Sequence, residues 1–78
     1  MLTPRLCKTA RTLLDVQQKE LAEKARVNLR TLMDFERGAR DTHPRTISAI
    51  QDALEEMGIE FLNHGAPGVR LHRKRAEP

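Results

Sequence analysis

Seventy-eight residues with a formal charge of +3 and a single cysteine make one small domain with one modest core, and exclude an intramolecular disulfide or a multi-cysteine zinc site. Two phenylalanines, with no tyrosine or tryptophan, leave little from which to build a substrate cavity. Charge divides along the chain, +4 over residues 1–30, −4 over 31–60 and +3 over 61–78, a pattern that suits a phosphate-binding face as well as a solvated surface.

The first residues contain no apolar run of signal-peptide length, and no segment approaches the roughly 20 apolar residues of a membrane span. A lone thiol suits a reducing compartment, so a soluble cytoplasmic protein with no membrane partner is expected.

Thr3-Pro4 reads as an N-cap hydroxyl followed by proline at the first helical position. Leu6, Ala10, Leu13 and Leu14 follow at helical spacing with Cys7 flanking the stripe, so a first helix runs to about Leu14. Asp15 breaks the pattern. A second helix begins at Gln17 or Gln18 and buries Leu21, Ala22 and Ala25, whose small alanines let another helix approach closely. Val27 plugs the turn. Asn28 caps a third helix that turns Leu32 and Phe35 inward and stops at Gly38.

Residues 39–43 form a loop, and Pro44 restarts the chain as a fourth helix. Ile47, Ile50, Leu54 and Met57 line its apolar face up to Gly58, while Asp52, Glu55 and Glu56 turn to solvent. The period then changes. Ile59–Leu62 and Val69–Leu71 read as two short strands around a turn-rich segment. Such a ribbon is marginal alone and must pack on the helices or pair with a second chain. Residues 72–78 are a basic tail, expected to be disordered. The expected division is a helical domain over 1–58, a strand pair over 59–71 and the tail.

The second and third helices are too short for each to bury a core alone. They must pack crosswise, which leaves the outer face of the third exposed, the geometry of a helix-turn-helix. The ordered residues Ala10-Arg11, Gln18, Leu21-Ala22, Ala25, Val27, Thr31-Leu32 and Phe35-Glu36-Arg37-Gly38 carry a resemblance. Pro44 and the Ile47, Ile50, Leu54 stripe continue it. Over residues 4–58 the chain resembles the Cro/C1-type (XRE) helix-turn-helix family of bacterial and phage regulators. The resemblance implies an all-α, four- to five-helix, lambda-repressor-like DNA-binding domain with a short C-terminal β-hairpin. One departure stands out: the turn that usually carries glycine has Arg26, so either the turn differs slightly or Arg26 accepts about 1 kcal/mol of strain at a positive φ.

The resemblance implies double-stranded DNA as partner. Helix 3 presents Asn28, Leu29, Arg30, Met33 and Asp34 toward bases, and Arg30 is the strongest candidate because a guanidinium pairs with both guanine acceptors. Asp34 would repel phosphate unless it accepts from a cytosine amine or positions Arg30. Gln17 and Gln18 at the start of helix 2, with Arg37, Arg40 and Arg45 around the following loop, are expected on the DNA backbone. Arg11 and Glu36 match a structural salt bridge of the family. One recognition helix covers few base pairs, so a homodimer on a palindromic operator is expected, acting as a repressor, with half-sites roughly 34 Å apart. Phe61, Leu62, Val69 and Leu71 are the expected dimer contacts.

The alternative is a protein-interaction module, antiactivator- or antitoxin-like, that uses the same fold and binds a protein through the apolar Leu29 and Met33. His43, His64 and His72 show no metal spacing with one another or with Cys7, and no catalytic constellation is visible; neither metal, cofactor nor enzymatic activity is expected.

Overall fold

Each helix begins where a side chain can satisfy a free backbone N–H. The computed structural model describes residues 2–39, 41–62 and 68–71. Its elements are α1 (Pro4–Leu14), α2 (Gln18–Ala25), α3 (Leu29–Arg37), α4 (Pro44–Glu56), β1 (Ile59–Leu62) and β2 (Gly68–Leu71). Leu6 N–H donates to Thr3 Oγ1 at 3.2 Å, Arg30 N–H to Asn28 Oδ1 at 2.8 Å and Arg45 N–H to His43 Nδ1 at 3.0 Å. At α2 the Gln17 N–H donates to Glu20 Oε1 at 3.4 Å.

Three helices end in left-handed residues, Asp15 (φ 59°), Arg26 (φ 61°) and Gly38 (φ 67°). Only the last has no β-carbon to strain, so Arg26 holds the conformation that the helix-turn-helix demands at the cost expected of it.

The core joins all four helices to the ribbon. Leu21, Leu32, Ile50 and Leu54 are fully buried, and each contributes about 1.5–3 kcal/mol of apolar transfer. Phe35, Ala10, Ala22, Ala53, Ile59 and Leu2 complete the buried set with Cys7. Leu6, Leu14, Ala25, Val27, Ile47 and Met57 pack partly against it. Leu13, expected inside, is exposed, and Cys7, read as a small buried residue flanking the stripe, is fully buried within it. One residue is about 100° on a helix, so Leu13 and Leu14 cannot share the middle of a stripe. The stripe that wins is Cys7, Ala10 and Leu14, and it faces α3, α4 and β2.

The strands pair antiparallel, Ile59 with Leu71 and Phe61 with Val69. Alternation puts these four on one ribbon face and Glu60 and Arg70 on the other, where Arg70 Nη2 meets Glu60 Oε1 at 2.7 Å. Phe61 and Val69, expected to meet a second chain, are half-buried against this chain's own helices. Leu62 and Leu71 are exposed, at the ends of opposite ribbon faces. β2 begins one residue earlier than expected, at Gly68. Arg40, the turn over 63–67 and the basic tail over 72–78 lie outside the described residues.

Candidate nucleic-acid interface

α2 and α3 are joined by a turn of three residues closed by Val27 N–H donating to Ala22 O at 3.0 Å. Val27 tucks against the core and fixes the crossing of the two helices. α3 is amphipathic: Leu32, Phe35 and Glu36 are buried, whereas Leu29, Arg30, Met33 and Arg37 are exposed. The inner side is fastened to α1 and α2, so the outer side is a rigid ridge.

The fastening centres on Glu36, a carboxylate buried almost completely. Arg11 Nε donates to its Oε2 and Arg11 Nη2 to its Oε1, both at 2.8 Å. Gln18 Nε2 donates to Oε1 at 3.0 Å and the Cys7 thiol to Oε2 at 3.0 Å. Glu36 thus ties α1, α2 and α3 through one side chain. Burial alone would raise its pKa, but the bonds from Arg11, Cys7 and Gln18 outweigh that and hold it below the usual carboxylate value. Burial, then the neighbouring carboxylate, pushes the Cys7 thiol far above its ordinary range, so it stays protonated and donates.

The described residues expected to touch DNA lie at the start of α2, along α3 and in the first turn of α4. Asn28 uses its Oδ1 as the cap of α3. Leu29 and Met33 are 40% and 41% exposed, one turn apart. Arg30 extends outward from the same side, whereas the Asp34 carboxylate lies between Arg30 and Arg37. Gln17 is exposed at the start of α2. Gln18 is half-buried, and its amide serves Glu36. Arg45 is exposed in the first turn of α4, next to the N-cap His43. A shallow cleft of about 180 Å³ lies under the α3–α4 loop, lined by Thr31, Asp34, Asp41, Thr42, His43 and Thr46.

The family resemblance paired Arg11 with Glu36, 25 residues away, but gave Gln18 and Cys7 no part in that contact, so their donation to Glu36 was missed. Of the Arg30, Asp34, Arg37 contact the sequence reading raised only a positioning role for Asp34 toward Arg30; the bond from Arg37 was not foreseen. Among the described residues no group of three His, Cys, Asp or Glu side chains could hold a metal ion, and no helix is long and apolar enough to cross a membrane.

A helix-turn-helix family model matches residues 8–62, which takes in the whole of α2, the turn, α3, α4 and β1. No curated protein matches the chain significantly.

Proposed function

The chain belongs to the Cro/C1-type (XRE) helix-turn-helix family of DNA-binding regulators, and from that premise we propose that it represses transcription by binding a palindromic operator as a homodimer. The observation that carries this reading is the two-sidedness of α3. Its inner side is fixed by Leu32, Phe35 and Glu36, and its outer side offers Arg30 with the side chain 77% exposed. A rigid ridge tipped by a guanidinium fits a major groove, where Arg pairs with guanine O6 and N7. Leu29 and Met33 flank Arg30 and suit thymine methyl groups, and Asn28 begins the same surface.

Backbone contacts come from around the ridge. The exposed Gln17 at the N-terminus of α2 suits one phosphate, and Arg45 in the first turn of α4 suits another. Arg37 supplies further positive charge at the end of α3, and Arg40 remains a candidate phosphate contact from the sequence. Gln18 contributes by holding the start of α2 against α3. A second copy joins along the ribbon, through the exposed Leu71 beside the half-buried Phe61 and Val69 on one face and the exposed Leu62 at the end of the other.

The test is selection from a randomised duplex library at about 150 mM salt, where weak phosphate-only binding is suppressed. An enriched palindrome supports the reading and gives the half-site spacing. A protein that stays monomeric at high micromolar concentration, with and without that duplex, rules out the dimer. The alternative reading rests on the exposed Leu29 and Met33, which also suit a protein groove. Under it the library yields no enriched sequence, and Leu29→Glu or Met33→Glu abolishes a protein complex while the chain stays folded.

A further inference from the structure

Arg30, Asp34 and Arg37 stand at i, i+4 and i+7 of α3 and form one stripe along it. The two guanidinium side chains are open, 77% and 65% exposed, whereas the carboxylate between them is 15% exposed. A single oxygen serves both: Asp34 Oδ1 is 2.7 Å from Arg37 Nη2 and 3.5 Å from Arg30 Nε. Asp34 also lines the cleft under the α3–α4 loop, on the flank of the helix rather than its open ridge.

The two contacts are chemically different. Arg30 approaches the carboxylate through its inner nitrogen, Nε, at ion-pair distance, and neither terminal nitrogen, Nη1 or Nη2, is committed to Asp34 by a hydrogen bond. That terminal pair is the fork that guanine O6 and N7 accept. Arg37 commits a terminal nitrogen to Asp34, so half of its fork is already engaged. What it keeps suits a single phosphate oxygen better than a base edge.

We propose that Asp34 reads no base itself and is the positioning residue that sets the sequence specificity of α3, holding Arg30 with its fork outward for one guanine and drawing Arg37 aside toward phosphate. The inference rests on the DNA-binding reading above. It also gives the carboxylate a second effect: its charge opposes phosphate on every sequence, whereas its help to Arg30 counts only where the guanine is present. Asp34 therefore weakens non-specific binding while it sharpens the specific kind.

The experiment uses the full chain as wild type, Asp34→Ala, Asp34→Asn, Arg30→Ala and the Arg30→Ala/Asp34→Ala double variant. Each is titrated with the duplex enriched from the random library, with that duplex changed one base pair at a time, and with an unrelated duplex. Asp34→Asn keeps the side-chain shape, and circular dichroism checks that both single Asp34 variants keep their helices. Both are expected to bind the unrelated duplex at least as tightly as wild type. Both should lose roughly tenfold in preference at the same guanine that Arg30→Ala ceases to read. The double variant should discriminate there no worse than Arg30→Ala, since one residue acts through the other.

A loss at a different base pair, additive with Arg30→Ala, would overturn the inference and make Asp34 a base reader, for instance of a cytosine amine. An equal loss on all sequences would also overturn it, leaving only structural support. Those two outcomes leave DNA binding intact. A wild type that enriches no sequence at all overturns the DNA reading, and the role of Asp34 falls with it.

Discussion

The Arg11 guanidinium meets the Glu36 carboxylate through two hydrogen bonds, Nε to Oε2 and Nη2 to Oε1, both 2.8 Å long, and so bolts α1 to the last turn of α3. Breaking such a pair from one side strands a buried charge, which costs more than the pair itself is worth. Arg11→Met should therefore destabilise the fold by about 3 kcal/mol, whereas Arg11→Met combined with Glu36→Leu should cost less than Arg11→Met alone. Urea unfolding of the two variants beside wild type checks the order.

The same carboxylate makes stability depend on acid. Glu36 has a folded pKa below its ordinary value of 4.5, held down by Arg11, Cys7 and Gln18 against the upward push of burial. A depressed carboxylate binds fewer protons folded than unfolded, so its contribution is fully present above that ordinary value. It is lost as pH falls from there through the lower, folded value. Glu36→Gln should flatten the stability profile in that acid window while lowering stability at neutral pH, and unfolding measured from pH 7 down to about pH 3 reads both.

Arg26 occupies a left-handed position (φ 61°) that glycine adopts without strain. Arg26→Gly relieves about 1 kcal/mol of backbone strain and adds back some unfolded-state entropy. A net gain of about 0.5 kcal/mol is expected, seen as a higher urea midpoint with an unchanged slope.

Arg30 and Arg45 should fail in different ways. Arg30→Ala is expected to cost about 1–3 kcal/mol on the preferred duplex and to relax discrimination at one position. Arg45→Ala should weaken all duplexes alike and reduce the salt slope by about 1. Titrations at three salt concentrations on specific and unrelated duplexes separate the two. Identical behaviour would mean that Arg30 touches only the backbone.

The helices were legible because their signals are local. Thr3-Pro4, Asn28, Gly38 and Pro44 each mark a helix end by a side chain or ring that acts on its own neighbours, and the observed ends follow them. Leu13 shows where periodicity stops: two adjacent leucines both look apolar, and only the position of α3, α4 and β2 decides which is covered. The strand pair was legible from its change of period, but which ribbon face turns inward was not, because register depends on packing with α1. At the candidate site, Arg30 stood out by residue type. The reach of Gln18 and Cys7 to Glu36, 18 and 29 residues away, belongs to tertiary structure and leaves no mark in the spacing.

The most direct test of the central claim is to titrate isotope-labelled protein with the enriched duplex and follow its backbone amide signals by NMR. The account predicts that the largest shifts fall on Gln17, on Asn28 to Met33 and around Arg45, while the core positions Leu54 and Ala53 stay still. Shifts absent from Asn28 to Met33, with the duplex bound elsewhere or not at all, would contradict it and leave the outer ridge of α3 for a protein partner.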